Sequence, residues 1–226
     1  MKKQELPAQN ILDLKPNTII DQNHQAQITL PAWEGFQSRQ GWYNGKDKSE
    51  NSNGTVRVFV DGVDTGPVKV FSEEQSKAAH YVYDNNISIR DAMLKELLLQ
   101  LPQINEQYED AAPGNVKDSM DFKDLIGLSI VHIMNSAKDG MAYVGYEFGC
   151  EWDDEHGLGI MTHKDNVIEI GQADTAFDSW ITYKDNGTFE QENERWEKEN
   201  SAAIARNNAL VQKHKDRKNR PWWKFW

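Results

Sequence analysis

The sequence predicts an α+β domain: an antiparallel sheet built from an N-terminal strand group and a C-terminal meander, with two central helices and a long C-terminal helix. Alternating β-branched and aromatic residues occupy both ends of the first 180 positions, and apolar residues at helical spacing fill the middle. Residues 188–220 contain neither Gly nor Pro. The expected organisation is a polar arm over 1–25, the α+β domain over 26–180 and a charged helical tail over 181–226.

Each element has its own warrant. Residues 1–25 are polar, with Pro7, Pro16 and a short apolar patch at Ile11, Leu12 and Leu14. Then "QITLPAWEGFQSRQGWY" and "GTVRVFVDG", with Val56, Val58 and Val60 on one face, read as strands around an Asn/Ser/Gly-rich loop. Ser72 with Gln75 forms a capping-box pattern, followed at helical spacing by Ala78, Ala79, Val82 and Tyr83. A second helix is marked at Ser88 and carries Ile89, Ala92, Met93, Leu97, Leu98 and Leu101 up to Pro102. Residues 105–121 are polar and serve as a surface connection. The runs "LIGLSIVHIM", "AYVGYEFGC", "GLGIMTH" and "VIEIG" lie so close together that their turns must reverse the chain, which predicts an antiparallel meander.

Composition narrows the function classes. With 226 residues the chain can bury a core, and its 38% hydrophobic content leaves polar segments outside it. One cysteine, Cys150, rules out an intramolecular disulfide, and no apolar stretch follows the N-terminal lysines, so a cytoplasmic location is expected. No apolar run approaches the roughly 20 residues of a membrane span. The last fourteen residues, "KHKDRKNRPWWKFW", hold six Lys/Arg against one Asp, so of the formal −11 the first 212 positions carry −16. Such a body repels phosphate, which argues against nucleic acid; a basic partner fits it better, although plain solubility is the simpler explanation of the charge.

The stretch "EWDDEHGLGI" (151–160) sets Asp153, Asp154 and Glu155 beside His156, with Trp152 in front and Gly157 and Gly159 behind. It falls between two strands, so a tight acidic turn is the plain reading. Cys150, Asp153, Glu155, His156 and His163 include metal-ligating types, yet on one regular strand His156 and His163 face opposite ways, and none of CxxC, HExxH or DxDxDG occurs. No G-x-S-x-G, P-loop or G-x-G-x-x-G is present either. An internal tether is a further reading: Arg39, in an early strand, needs a carboxylate for its fork if buried, and Glu155 or Asp153 could supply it.

Together, "PAWEGFQSRQG" and "GYEFGCEWDDEHGLGIMTHKDNVIEIGQADTAF" resemble a family of uncharacterised bacterial domains that share a W-D-x-E-H-G-L-G turn and a following G-x-A-D element. The resemblance covers roughly 26–180. It places the signature on Trp152, Asp153, Glu155, His156, Gly157 and Gly159, with Asp174 in the G-x-A-D element, and transfers no catalytic role. By analogy alone, such small domains are similar to the immunity-type proteins encoded beside bacterial toxins.

The tail opens with Glu and ends with Lys and Arg, as a helix dipole favours. Phe189, Trp196, Ala203 and Leu210 recur every seven residues, with Asn193, Asn200, Asn207 and His214 between them. That polar seam supports a weak homodimer at most; packing of Trp196, Ile204 and Val211 on the chain's own domain is the favoured use. The closing cluster of Trp222, Trp223, Phe225 and Trp226 among Arg220 and Lys224 suits peripheral membrane contact or docking on a protein groove.

The sequence therefore favours binding of a protein partner over catalysis, and no cofactor, metal or catalytic residue is assigned. The binding candidates are Trp33, Arg39, Trp152, Asp153, Asp154, Glu155, His156 and Asp174, plus the terminal aromatics. The alternative is a metal-dependent or acid/base hydrolase using Asp153, Glu155 and His156.

Overall fold

The computed structural model of the chain describes residues 9–20, 25–39, 46–61, 63–64, 69–114 and 116–218. In chain order the strands are β1 (Gln9–Asn10), β2 (Ile19–Ile20), β3 (Gln25–Arg39), β4 (Lys46–Val60), β5 (Val63–Asp64) and β6 (Lys69–Val70). The helices α1 (Glu73–Asp84) and α2 (Asn86–Tyr108) follow, then β7 (Ile126–Lys138), β8 (Met141–Cys150), β9 (Leu158–His163) and β10 (Asn166–Gly171). The chain closes with α3 (Ser179–Asn186) and α4 (Phe189–Lys218). It divides into two compact units, Met1–Thr182 and Tyr183–Trp226.

Helix and strand are mixed, and the meander β7 to β10 is antiparallel throughout. The sheet as a whole is not. Its order is β1-β3-β4-β7-β8-β9-β10, and both the β1–β3 and β4–β7 pairs run parallel. The expectation of a purely antiparallel sheet is corrected for a topological reason. Short turns force reversal only within each strand group, whereas the two groups are joined through α1 and α2, a crossover long enough to bring β7 back in the direction of β4.

Residues expected in a polar arm contribute to the core: Ile11, Leu14 and Ile20 are buried. They share that core with Ala26, Ile28 and Leu30 of β3, the inward faces of both helices, and Val144, Tyr146 and Phe148 of β8. Trp33 also lies there, its ring 4.9 Å from Phe36 and 5.1 Å from Phe148. Full burial removes it from the binding candidates.

α1 begins as the sequence indicates. Ser72 accepts from the Gln75 backbone N–H at 3.2 Å, and the Gln75 side chain accepts from the Ser72 N–H at 2.9 Å. The same Gln75 amide donates to the carbonyls of Asp61 and Met134, tying the helix start to the end of β4 and to β7. Ser72→Ala is expected to cost about 1 kcal/mol in chemical denaturation, the usual value of a lost cap. Helix α2 runs through Pro102 to Tyr108, past the stop expected there. Proline removes one donor to the carbonyl four residues earlier, but the buried row of Ile89, Met93, Leu94, Leu97 and Leu101 holds the helix on course.

β8 and β9 are buried on both faces because the short 3-10 helix Ala173–Ala176 lies on the side opposite α1 and α2. Gly145 and Gly159 make that possible: a Cβ at Gly145 would strike the Ala176 backbone, and one at Gly159 would come within 2.8 Å of Ala173 O and Ala176 N. In the second unit α4 is the long helix expected, with Trp196, Ile204, Leu210 and Val211 exposed rather than buried. No described helix is long and apolar enough to cross a membrane.

Candidate functional site

The acidic turn occupies the link between β8 and β9, as its position in the sequence implies. Trp152 anchors it: the side chain is buried with its ring edge-on to Phe122 at 6.3 Å, so this candidate too belongs to the core. Chain reversal then depends on Gly157, at φ +66°, whose N–H donates to the Asp153 carbonyl at 2.9 Å. An added Cβ there would sit 2.7 Å from Phe148 O. The His156 carbonyl accepts from Ala173 N–H at 3.1 Å, which joins the turn to the G-x-A-D element.

Asp153 is the hub. Its Oδ1 accepts from the His156 backbone N–H at 2.9 Å and lies 3.1 Å from His156 Nδ1. Its Oδ2 accepts from Tyr108 Oη–H at 2.9 Å and from the Gln172 amide at 3.5 Å. Burial alone would raise the carboxyl, but the bonds from His156 N–H, Tyr108 O–H and the His156 ring outweigh it and hold Asp153 below its ordinary value. Burial first, and then the same bond to Asp153, push the Tyr108 phenol up to about 12, which keeps its proton in place as donor.

A carboxyl lowered in the folded state contributes stability that is present above its unfolded pKa, about 3.9, and is lost as pH falls through the lower folded value. Asp153→Asn is therefore expected to be less stable than the parent at neutral pH, with the gap closing at acid pH. Urea midpoints across a pH series measure it.

Arg39 lies beside the turn. At Gly127 the backbone of β3 passes so close to β7 that a Cβ would strike Gln37 O, and this approach brings Arg39 to the end of β8. The Arg39 side chain is 2% exposed. Its Nε and Nη2 donate to Gln37 Oε1 at 2.9 and 2.7 Å, Nη2 donates to Glu151 Oε1 at 2.8 Å, and Nη1 reaches Asp154 Oδ1 at 3.5 Å. Gln37 Nε2 donates to the same Glu151 oxygen at 2.8 Å and to the Asp124 carbonyl. The internal tether exists, but its carboxylates are Glu151 and Asp154 rather than Glu155 or Asp153.

Of the other candidates, Glu155, His156 and Asp174 are exposed, and the Asp154 side chain is 82% exposed despite its contact with Arg39. Trp222, Trp223, Phe225 and Trp226 lie outside the described residues. Cys150 is buried, its thiol pushed up to about 12 mainly by that burial, which leaves it a poor nucleophile. His163 sits at the far end of β9, bonded to the Lys138 carbonyl at 2.9 Å. Among the described residues no three His, Cys, Asp or Glu side chains gather as metal ligands. Sequence reasoning missed Gln37, Glu151, Tyr108 and Gln172. Only Glu151, inside the quoted acidic run, carried any local signal.

Fold and site together define a mixed α+β domain that presents an internally braced acidic turn. The chain belongs to DUF6985, a domain family of unknown function, whose model matches residues 33–177. No curated protein and no solved structure matches it.

Proposed function

We propose that this chain is a non-catalytic, protein-binding domain acting in the bacterial cytoplasm, with the acidic turn as its recognition surface and a basic protein as its partner. One observation carries the reading: Arg39 and the Asp153 network fix the turn from inside, while Asp154 and Glu155 remain exposed at its tip. Pre-set carboxylates on a body of negative charge steer a cationic partner and lose little entropy on contact. Neutralisation of a toxin, as immunity-type proteins perform it, is the role we favour by analogy. Self-association through the exposed residues of α4, and lipid contact through the terminal aromatics, are subsidiary parts of the proposal.

The hydrolase alternative has less support. Asp153 already accepts from His156, Tyr108 and Gln172, and the His156 ring, with Nδ1 against Asp153, stands exposed to solvent. Cross-linking in cells followed by mass spectrometry tests the reading with an Asp154→Lys/Glu155→Lys variant as control. We expect a basic protein to be captured by the parent and lost from the variant. Equal capture by both removes the turn from the interface. Stoichiometric metal in untagged protein that disappears in His156→Ala supports the hydrolase instead.

A further inference from the structure

The sheet face turned away from α1 and α2 carries a second constellation that the acidic turn does not involve. His132 of β7 and Glu147 of β8 stand side by side, with Nε2 to Oε2 at 2.9 Å and side chains 14% and 13% exposed. They line a cavity of about 540 Å³ together with Phe59, Ile130, Met134 and Phe177. That volume, with mainly apolar walls and a few polar groups, is typical of a small-molecule or side-chain pocket.

Strand register builds the cavity. Phe59 is the parallel partner of His132, and their rings stack at 5.8 Å. Gly145 is the antiparallel partner of His132, and its missing side chain lets the Ala176 backbone settle onto β8. The next residue, Phe177, thereby lands with its ring 5.1 Å from the imidazole while remaining 48% exposed. Glu147 fixes the ring through Nε2; Nδ1 has no hydrogen-bond partner among the described residues.

We propose that this cavity binds a phenolic ring. Phe59 and Phe177 both line the cavity, each packed against the imidazole, so a ring entering it meets aromatic carbon. A hydroxyl suits Nδ1 in either state of the imidazole: it donates when the ring is neutral with its proton on Nε2, and accepts when the ring is protonated. A carbonyl or an N–H group would suit only one of these. The remaining charges at the cavity, Asp61 and Lys69, face each other at 3.7 Å and call for no charged ligand.

Calorimetric titration of the full chain with p-cresol, and with toluene as the same framework without the hydroxyl, tests the assignment. We expect saturable p-cresol binding, a shift of the His132 ring resonances, and toluene about tenfold weaker for lack of the hydrogen bond. Phe177→Ala, at a half-exposed position outside the dyad, is expected to weaken p-cresol about tenfold without moving the urea midpoint. N-acetyltyrosinamide binding as well as p-cresol would identify a tyrosine side chain as the source; p-cresol alone, a free phenol. Equal binding of toluene, p-cresol binding indifferent to Phe177→Ala, or no saturation up to the solubility limit of p-cresol would each overturn the proposal. The turn variants that test protein binding do not touch this cavity, so the two readings fail separately.

Discussion

Gly145→Ala is expected to destabilise the first unit by about 4 kcal/mol or more, one of the largest effects a single methyl group can have. The added carbon would collide with the carbonyl of Ala176 and lie 2.8 Å from its Cα. Both are backbone atoms, so no rotamer change relieves the clash. The 3-10 helix Ala173–Ala176 would have to lift away, uncovering Tyr143 and Met161 and undoing the bond from Ala173 N–H to the acidic turn. Urea denaturation measures the loss, and increased proteolysis near 171–177 would locate it. A parent-like midpoint would show that the short helix is not held against β8.

Arg39→Met is expected to cost about 3 kcal/mol. The change removes four hydrogen bonds at once, two from Gln37 Oε1, one from Asp154 and one from the Glu151 carboxylate. Glu151 is 39% exposed, so water recovers part of the loss and the figure stays at the lower end for a broken buried pair. Arg39→Lys should restore less than half, because one ammonium cannot serve Gln37 and Glu151 in the forked geometry of a guanidinium. The deficit should persist in about 1 M salt, which screens surface pairs far more than buried ones. Stability equal to the parent would mean that the turn is braced by Trp152 and Asp153 alone.

Local features were legible in the sequence. The Ser72–Gln75 box, the apolar row from Ile89 to Leu101, the meander turns and the long final helix follow from residues within a few positions of one another. The acidic turn was placed correctly for the same reason. What stayed hidden depends on distant partners. Arg39 pairs with Glu151 across more than a hundred residues, and nothing near either one distinguishes Glu151 from Asp153 or Glu155 as its acceptor. Trp33 stood among the binding candidates, yet the rings that enclose it come from Phe36 and, far along the chain, Phe148. His132 and Glu147 lie in separate, largely apolar runs with nothing local to link them, and only strand pairing brings them together.

The parallel pairing of β4 with β7 also bears on how the molecule folds. Every other join in the meander closes over a short turn, and β3 with β4 form a hairpin of their own. The seam between the two halves closes only after the chain from Val60 to Ile126 has been organised, so its formation carries the largest loop-closure entropy in the sheet. The meander is thus expected to act as the early nucleus and the β4–β7 seam to form late, limiting the folding rate. Pulse-labelling hydrogen exchange should protect the amides of Tyr143 to Glu147 before those of Val56 to Val60.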